Sequence, residues 1–140
     1  YREPLEVFGH ILRENASLLE LLDADYTYLN EELARHYGIA GVSGAEFRKV
    51  SLADRRRGGA LTMAGILTIS SYPQRTSPVL RGKWVLDELL GAPVPPPPPN
   101  AGGLPAEDRR SQGLTFRQRL EQHRSRAECA SCHSRMDPLG

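Results

Sequence analysis

The sequence predicts a mainly α-helical protein in which small helical units are joined by a proline-rich strap. Apolar residues recur every three or four positions in several segments, and helix caps or glycine stops flank those segments. The chain has 140 residues, of which 39% are hydrophobic and 25% charged, enough for one or two small cores. A single run of prolines separates the last helices from the rest.

Residues 1–38 are expected to form the first helical unit. The pattern of apolar residues predicts an amphipathic helix from Pro4 to about Asn15 and a second helical segment from Ser17 to Leu22. A third helix is predicted from Thr27 to Tyr37, with Thr27 as its N-cap and Gly38 as its stop. The apolar face of the first helix is made of Leu5, Phe8, Ile11 and Leu12.

Residues 39–91 are expected to be a connector followed by helices that pack near the functional segment. The connector offers at most one short strand, between Phe47 and Leu52, before the basic run Arg55 to Arg57. That run indicates a solvated surface or, alternatively, a contact for an anionic ligand. The apolar stretch Leu61 to Leu67 favours a helix over a strand.

The clearest helix signal runs from Ser77 to Leu90. Ser77 is a suitable N-cap, Pro78 fits the first helical position, and Gly91 follows the end. Matching signals at both ends therefore predict the bounds of this helix.

Residues 92–113 predict a proline-rich strap and a loop. Val94 is the only other residue type between Pro93 and Pro99, so the backbone is held in an extended polyproline II rod. The rod is interpreted as a spacer, the alternative being a ligand for an aromatic-lined groove on another protein. The polar stretch Asn100 to Gly113 predicts a loop.

Charge and hydropathy exclude several classes of function. The formal net charge of +1 creates no overall field that would attract nucleic acid or an anionic membrane. The longest apolar run, Ala60 to Ile69, is too short to cross a bilayer. Since neither end shows a leader or a clear stop, the chain is expected to be a fragment of a longer protein.

Residues 114–140 carry the strongest chemical signal. Thr115 is the predicted N-cap of a helix that runs to about Arg124. This helix leads into Cys129-Ala130-Ser131-Cys132-His133. This Cys-x-x-Cys-His pattern is typical of covalent c-type haem attachment. Two thiols three positions apart lie on one side of a helical turn, and each can bond one vinyl group of the same porphyrin. His133 can then ligate the iron as the proximal residue.

Three other chemistries are alternatives for this segment. A structural zinc site would need Cys129, Cys132, His133 and His123 in a cramped cluster. A thioredoxin-like redox pair expects a βαβ context that the sequence does not offer. A disulfide would close a very small loop and would leave the position of His133 unexplained.

The remaining haem contacts are predicted less directly. Met63 is the candidate sixth ligand, against the alternative that it packs in a core, while Met136 is expected to pack against the haem edge. Arg75 and Arg81, and after them Arg57, are candidates to neutralise the propionates. His123 is expected to line the haem pocket or to meet a propionate, whereas His10 and His36 are expected to be surface or satisfied core residues.

Four segments are distinctive in combination: Asp25 to Asn30, Arg75 to Gly82, the proline run, and Cys129 to Gly140 with its Met-Asp-Pro-Leu-Gly ending. Together they resemble a known family, the large secreted planctomycete-type cytochrome domain proteins. The resemblance implies a mostly helical, exported redox protein, of which this chain is an internal to C-terminal portion. It also implies thioether attachment at the two cysteines and axial ligation by His133.

The function expected from the sequence is one-electron transfer by a c-type cytochrome domain with one covalent haem, more an electron carrier than a catalyst. Its partners would be redox proteins or neighbouring domains, in the periplasm or at the cell surface. Two alternatives stay open. One is a docking module of a larger multihaem or redox assembly, and the other is a haem enzyme with an open distal site.

Overall fold

The computed structural model describes residues 1–54, 56–97, 99, 113, 115–125 and 127–140. The chain forms two compact units, Tyr1–Ile69 and Ser70–Gly140. Helices dominate both, and one two-stranded sheet is present, which confirms the predicted mainly α class. Within the described part of the chain, no helix combines the length and apolar character needed to span a lipid bilayer.

The N-terminal unit contains three helices, α1 to α3, and the antiparallel pair of strands β1 and β2. Tyr26 of β1 pairs with Ser51 of β2, which confirms the short strand predicted between Phe47 and Leu52. Single turns of 3-10 helix cover Leu18–Leu21 and Ala60–Thr62. The elements are α1 (Arg2–Arg13), β1 (Tyr26–Leu29), α2 (Glu31–Tyr37), β2 (Arg48–Ser51) and α3 (Ala64–Ile69).

The core of this unit lies where α1 crosses β1. Its buried members are Val7, Ile11, Ala24, Tyr26 and Met63. Only one position of the predicted apolar face of α1 is buried. Ile11 lies in the core, while the other three predicted positions are exposed. Their exposed fractions are 69% for Leu5, 43% for Phe8 and 61% for Leu12.

The helix predicted from Thr27 to Tyr37 is wrong in its first half. Residues Tyr26–Leu29 form β1, and α2 begins only at Glu31, with the side chain of Asn30 accepting the Leu33 N–H as its cap. Tyrosine and threonine suit a pleated, half-buried surface, and pairing with β2 supplies the backbone hydrogen bonds. The predicted stop is confirmed, since Gly38 adopts the left-handed conformation at φ 71°.

The C-terminal unit contains α4 (Pro78–Trp84), a π-helical continuation at Val85–Leu89, α5 (Phe116–Arg124) and α6 (Ala127–Met136). The side chain of Ser77 accepts the Leu80 N–H, so the predicted cap and the proline at the helix start are confirmed. A 3-10 turn, Asp137–Leu139, ends the unit.

The part of the strap at residues 92–97 contains no helix or strand. Val94 is buried there and packs with Leu86 and Met136, so the strap contributes to the core of its own unit. Most of the predicted loop from Asn100 to Gly113 lies outside the described residues, as does Arg55.

Glycine allows a close backbone approach between α4 and the end of the chain. A Cβ atom on Gly82 would overlap the carbonyl oxygen of Met136, and one on Gly140 would overlap that of Pro78. The end of α6 and the turn after it are therefore held directly against α4.

Candidate haem attachment site

Helix α6 places the three predicted attachment residues together. Cys129 and Cys132 are free, partly exposed thiols, separated by three positions on a continuous helix. Side chains at this spacing lie on one face of a helix, one above the other. His133 follows directly on the same helix. The local pattern in the sequence is thus realised as one helical surface that carries two thiols and an imidazole.

The imidazole of His133 is held by a carboxylate one helical turn later. Its Nδ1 lies 2.9 Å from Oδ1 of Asp137, and the two side chains are only 11% and 10% exposed. The other carboxylate oxygen, Oδ2, lies 3.8 Å from Nη1 of Arg124, at the end of α5. The imidazole, carboxylate and guanidinium therefore form a row that connects α6 to α5.

A small apolar cluster adjoins the attachment residues. Met136 is buried, 7% exposed, and packs with Leu86 and Val94, while Cys132 contacts the same cluster. The burial of Met136 in this cluster explains why an apolar residue lies at the end of α6. The predicted contact of Met136 with a haem edge stays a prediction.

The structure distributes the other predicted residues between the two units. Met63 belongs to the N-terminal core and is 2% exposed. Arg57 is also in that unit, with its guanidinium 3.9 Å from the ring centre of Tyr37. Arg75 and Arg81 lie in the same unit as the cysteines, Arg81 on α4, which packs against α6.

Sequence reasoning missed Asp137 and Arg124 as parts of this site. The signal available for Asp137 was its position four residues after His133, since residues at that spacing are neighbours on a helix. Arg124 could not have been found in this way because its approach depends on how α5 packs against α6.

The donor set suits a covalent haem. Among the residues that the structure describes, no three His, Cys, Asp or Glu side chains converge as a ready ligand set for a metal ion. A zinc site would need such a set, with His123, whose side chain lies outside the description, as its fourth member. Covalent haem attachment requires two accessible thiols and one protein nitrogen, and α6 provides these three groups.

A second polar cluster, in the N-terminal unit, is structural in character. Glu3 is buried, and it accepts hydrogen bonds from the hydroxyls of Thr27 at 2.7 Å and Tyr37 at 2.6 Å. The Tyr37 hydroxyl in turn accepts the N–H of Ala64 at 2.7 Å. These bonds tie together α1, β1, α2 and α3. They border a small pocket that is also lined by Arg57 and Met63.

Comparisons with known proteins give two family matches. No curated protein and no solved structure matches the chain. Residues 1–39 match the family PSD4, and residues 57–140 match PSCyt3, each described as a protein of unknown function, DUF1592 and DUF1588 respectively. Both are planctomycete-cytochrome-type domains associated with secreted planctomycete proteins. Because the second match covers more than half of the sequence, including all of α4 to α6, the chain belongs to the PSCyt3 family.

Proposed function

We propose that this chain carries one covalently attached haem c and serves one-electron transfer within a secreted redox protein. The observation that carries the proposal is the grouping of Cys129, Cys132 and His133 on α6, with the imidazole held by Asp137. The PSCyt3 match, which includes all of these residues, supports it.

Each attachment residue has a definite chemical task in this proposal. Cys129 and Cys132 would hold the haem through two thioether bonds, each made by adding a thiol S–H bond across a vinyl group, which needs no external oxidant. His133 would hold the iron through a neutral nitrogen. When bound, the haem supplies an iron centre that accepts and releases one electron. The protein sets the potential of that centre by ligation, hydrogen bonding and burial.

Arginines of the C-terminal unit are proposed to receive the propionates. Arg75 and Arg81 are the candidates, and a guanidinium offers paired donors for a carboxylate. Arg75 lies with its guanidinium 4.6 Å from the ring centre of Tyr72, and Arg81 lies on the helix that packs against α6.

Met63 is retained as the proposed sixth ligand, with core packing as its alternative. Its burial among Val7, Ile11 and Tyr26 supports the alternative. Met63→Leu distinguishes the two roles, because leucine preserves the volume of the side chain and removes its sulfur.

The test of the proposed function is a denaturing gel stained for haem, combined with spectra of the oxidised and reduced protein. The full chain should be produced by cells that export it and mature c-type cytochromes. We expect a haem signal that survives denaturation in the wild type and is lost in the C129S/C132S double variant. Ser134→Ala is the matched control, because Ser134 is an exposed residue on the same helix.

The spectra also distinguish the remaining functions. Low-spin bands in both oxidation states agree with electron transfer. A high-spin oxidised spectrum would favour an enzyme with an open distal site. A wild-type chain without covalent haem would contradict the proposal and return zinc binding or a disulfide to consideration.

A further inference from the structure

We propose that Asp137 is a positioning residue that fixes the imidazole of His133 and lowers the reduction potential of the haem bound there. The inference rests on the proposed function, because the potential exists only if His133 is an axial ligand. It goes beyond that function because it assigns control of the haem reduction potential to the carboxylate of Asp137, directly after α6.

The hydrogen bond defines which imidazole nitrogen carries the proton. An ionised carboxylate can only accept, so the Nδ1 atom of His133 donates its hydrogen to Oδ1 of Asp137 across 2.9 Å. In the neutral ring the lone pair is then on Nε2. A ligating histidine is commonly oriented in this way by a carboxylate or carbonyl acceptor on its other nitrogen.

Stability alone does not account for this carboxylate. The Asp137 side chain is only 10% exposed, and its Oδ2 atom has no hydrogen-bond partner among the residues that the structure describes. Leaving a buried acceptor unpaired costs free energy. The Arg124 guanidinium supplies an opposite charge 3.8 Å from Oδ2, beyond hydrogen-bond distance.

The backbone around Asp137 is held firmly. Asp137 begins the 3-10 turn Asp137–Leu139, in which Pro138 fixes one backbone dihedral. On either side, Met136 and Gly140 approach the backbone of α4 so closely that no Cβ would fit at Gly82 or Gly140. The carboxylate is therefore presented to His133 by a clamped segment of chain.

An anionic acceptor makes the imidazole a stronger electron donor than a neutral acceptor does. Stronger donation stabilises the oxidised, more positive iron relative to the reduced iron. The reduction potential should therefore be lower with Asp137 than with a neutral residue at this position.

The test uses Asp137→Asn, which keeps the size of the side chain and removes its charge, and Asp137→Ala, which removes the acceptor. Asp87→Asn is the matched control. Asp87 is a carboxylate of the same unit, but it pairs with Lys83. The same charge is thus removed without touching His133.

Two measurements are made on these variants of the chain. In the haem-loaded protein, we expect both Asp137 variants to keep the haem stain and to shift the potential upward, beyond any shift in D87N. In the haem-free C129S/C132S chain, nitrogen NMR shifts should report the Nδ1–H form of His133. D137A should move that population toward the other tautomer, and D87N should not.

A D137N potential equal to that of D87N, or a tautomer population unchanged in D137A, would overturn the inference. Loss of the haem stain in the wild type would overturn the proposed function and the potential control with it. The two failures are distinguishable, because the gel tests haem attachment whereas the tautomer measurement does not require haem.

Discussion

At the level of single residues, Glu3 and Asp137 are two carboxylates that lie largely out of solvent and take part in side-chain hydrogen bonds. Glu3 receives two hydroxyl hydrogen bonds in the N-terminal unit, whereas Asp137 receives the imidazole N–H in the C-terminal unit. Neither would be expected inside a protein from residue type alone, since acidic side chains are almost always exposed unless they are paired.

The first prediction concerns Glu3. Burial raises the pKa of its carboxyl above the ordinary value of 4.5, against the opposing effect of the hydrogen bonds from Tyr37 and Thr27. The folded chain thus holds this proton more tightly than the unfolded chain. The resulting stabilisation is complete below the unfolded pKa and is lost as the pH rises through the raised folded pKa.

We therefore expect the opening free energy of α1, measured by amide hydrogen exchange, to fall across this pH window. Glu3→Gln should flatten that dependence, because a glutamine does not ionise. Glu6→Gln is the control, since Glu6 pairs with the exposed Arg2 at the surface. Retention of the wild-type pH dependence in E3Q would refute the assignment.

The second prediction concerns Met63. Because this side chain is 2% exposed in the N-terminal core, Met63→Ala should destabilise the fold by about 2–5 kcal/mol. Met63→Leu preserves the volume and should cost less than about 1.5 kcal/mol. Hydrogen exchange of α1 and β1 amides measures both values.

Met63→Leu also tests ligation. Loss of the weak far-red sulfur-to-iron absorption in M63L would establish Met63 as the sixth ligand. An unchanged spectrum in a stable M63L protein would assign Met63 to core packing alone.

At the level of secondary structure, terminal signals predicted helices well. Thr115 and Gln118 form a reciprocal capping box at the start of α5, with the Gln118 N–H bonding to the Thr115 hydroxyl at 3.2 Å and the Thr115 N–H to Gln118 Oε1 at 2.8 Å. Ser77 and Gly38 likewise act at the predicted ends of α4 and α2. Such signals are read reliably because the bonding groups are local in sequence.

The same local reasoning failed at Thr27. Its hydroxyl suits an N-cap, but it bonds to Glu3, which lies 24 positions away, and its backbone pairs with β2. Partners this distant do not appear in a window of sequence, and tertiary pairing overrides local preference.

The third prediction concerns the contact between α4 and the end of α6. Gly82→Ala should destabilise the C-terminal unit, although alanine is intrinsically the better helix former by about 1 kcal/mol. The added Cβ would collide with the backbone of Met136, which cannot move aside as a flexible side chain could.

Gly65→Ala in α3 is the control for this substitution. A Cβ there would come no closer than 3.5 Å to Tyr1, which is ordinary contact. Hydrogen exchange of the α6 amides should show faster opening in G82A and no change in G65A. Equal protection of α6 in wild type and G82A would contradict the close approach.

For the whole molecule, the proposed haem attachment bears on the cellular compartment. The PSCyt3 and PSD4 families are associated with secreted proteins, and the compartment proposed for this chain is the periplasm or the cell surface. Attachment needs thiols delivered to a compartment where c-type cytochromes are matured, outside the cytoplasm.

The fourth prediction follows from that placement. The exported chain should give a haem-stained band, and the same chain retained in the cytoplasm should give none, with equal protein on both gels. A fully loaded protein recovered from the cytoplasm would contradict the assignment to an exported compartment.

The amino-acid sequence determined the helical class and most helix ends and supplied the three proposed attachment residues, because capping, periodicity and the Cys-x-x-Cys-His spacing act over a few neighbouring positions. The tertiary structure decided the strand at Tyr26–Leu29, the burial of Glu3 and Met63, and the approach of Arg124 to Asp137. It also decided why position 82 must be glycine. These features depend on residues far apart in the chain, whose contacts exist only once the helices and strands have packed.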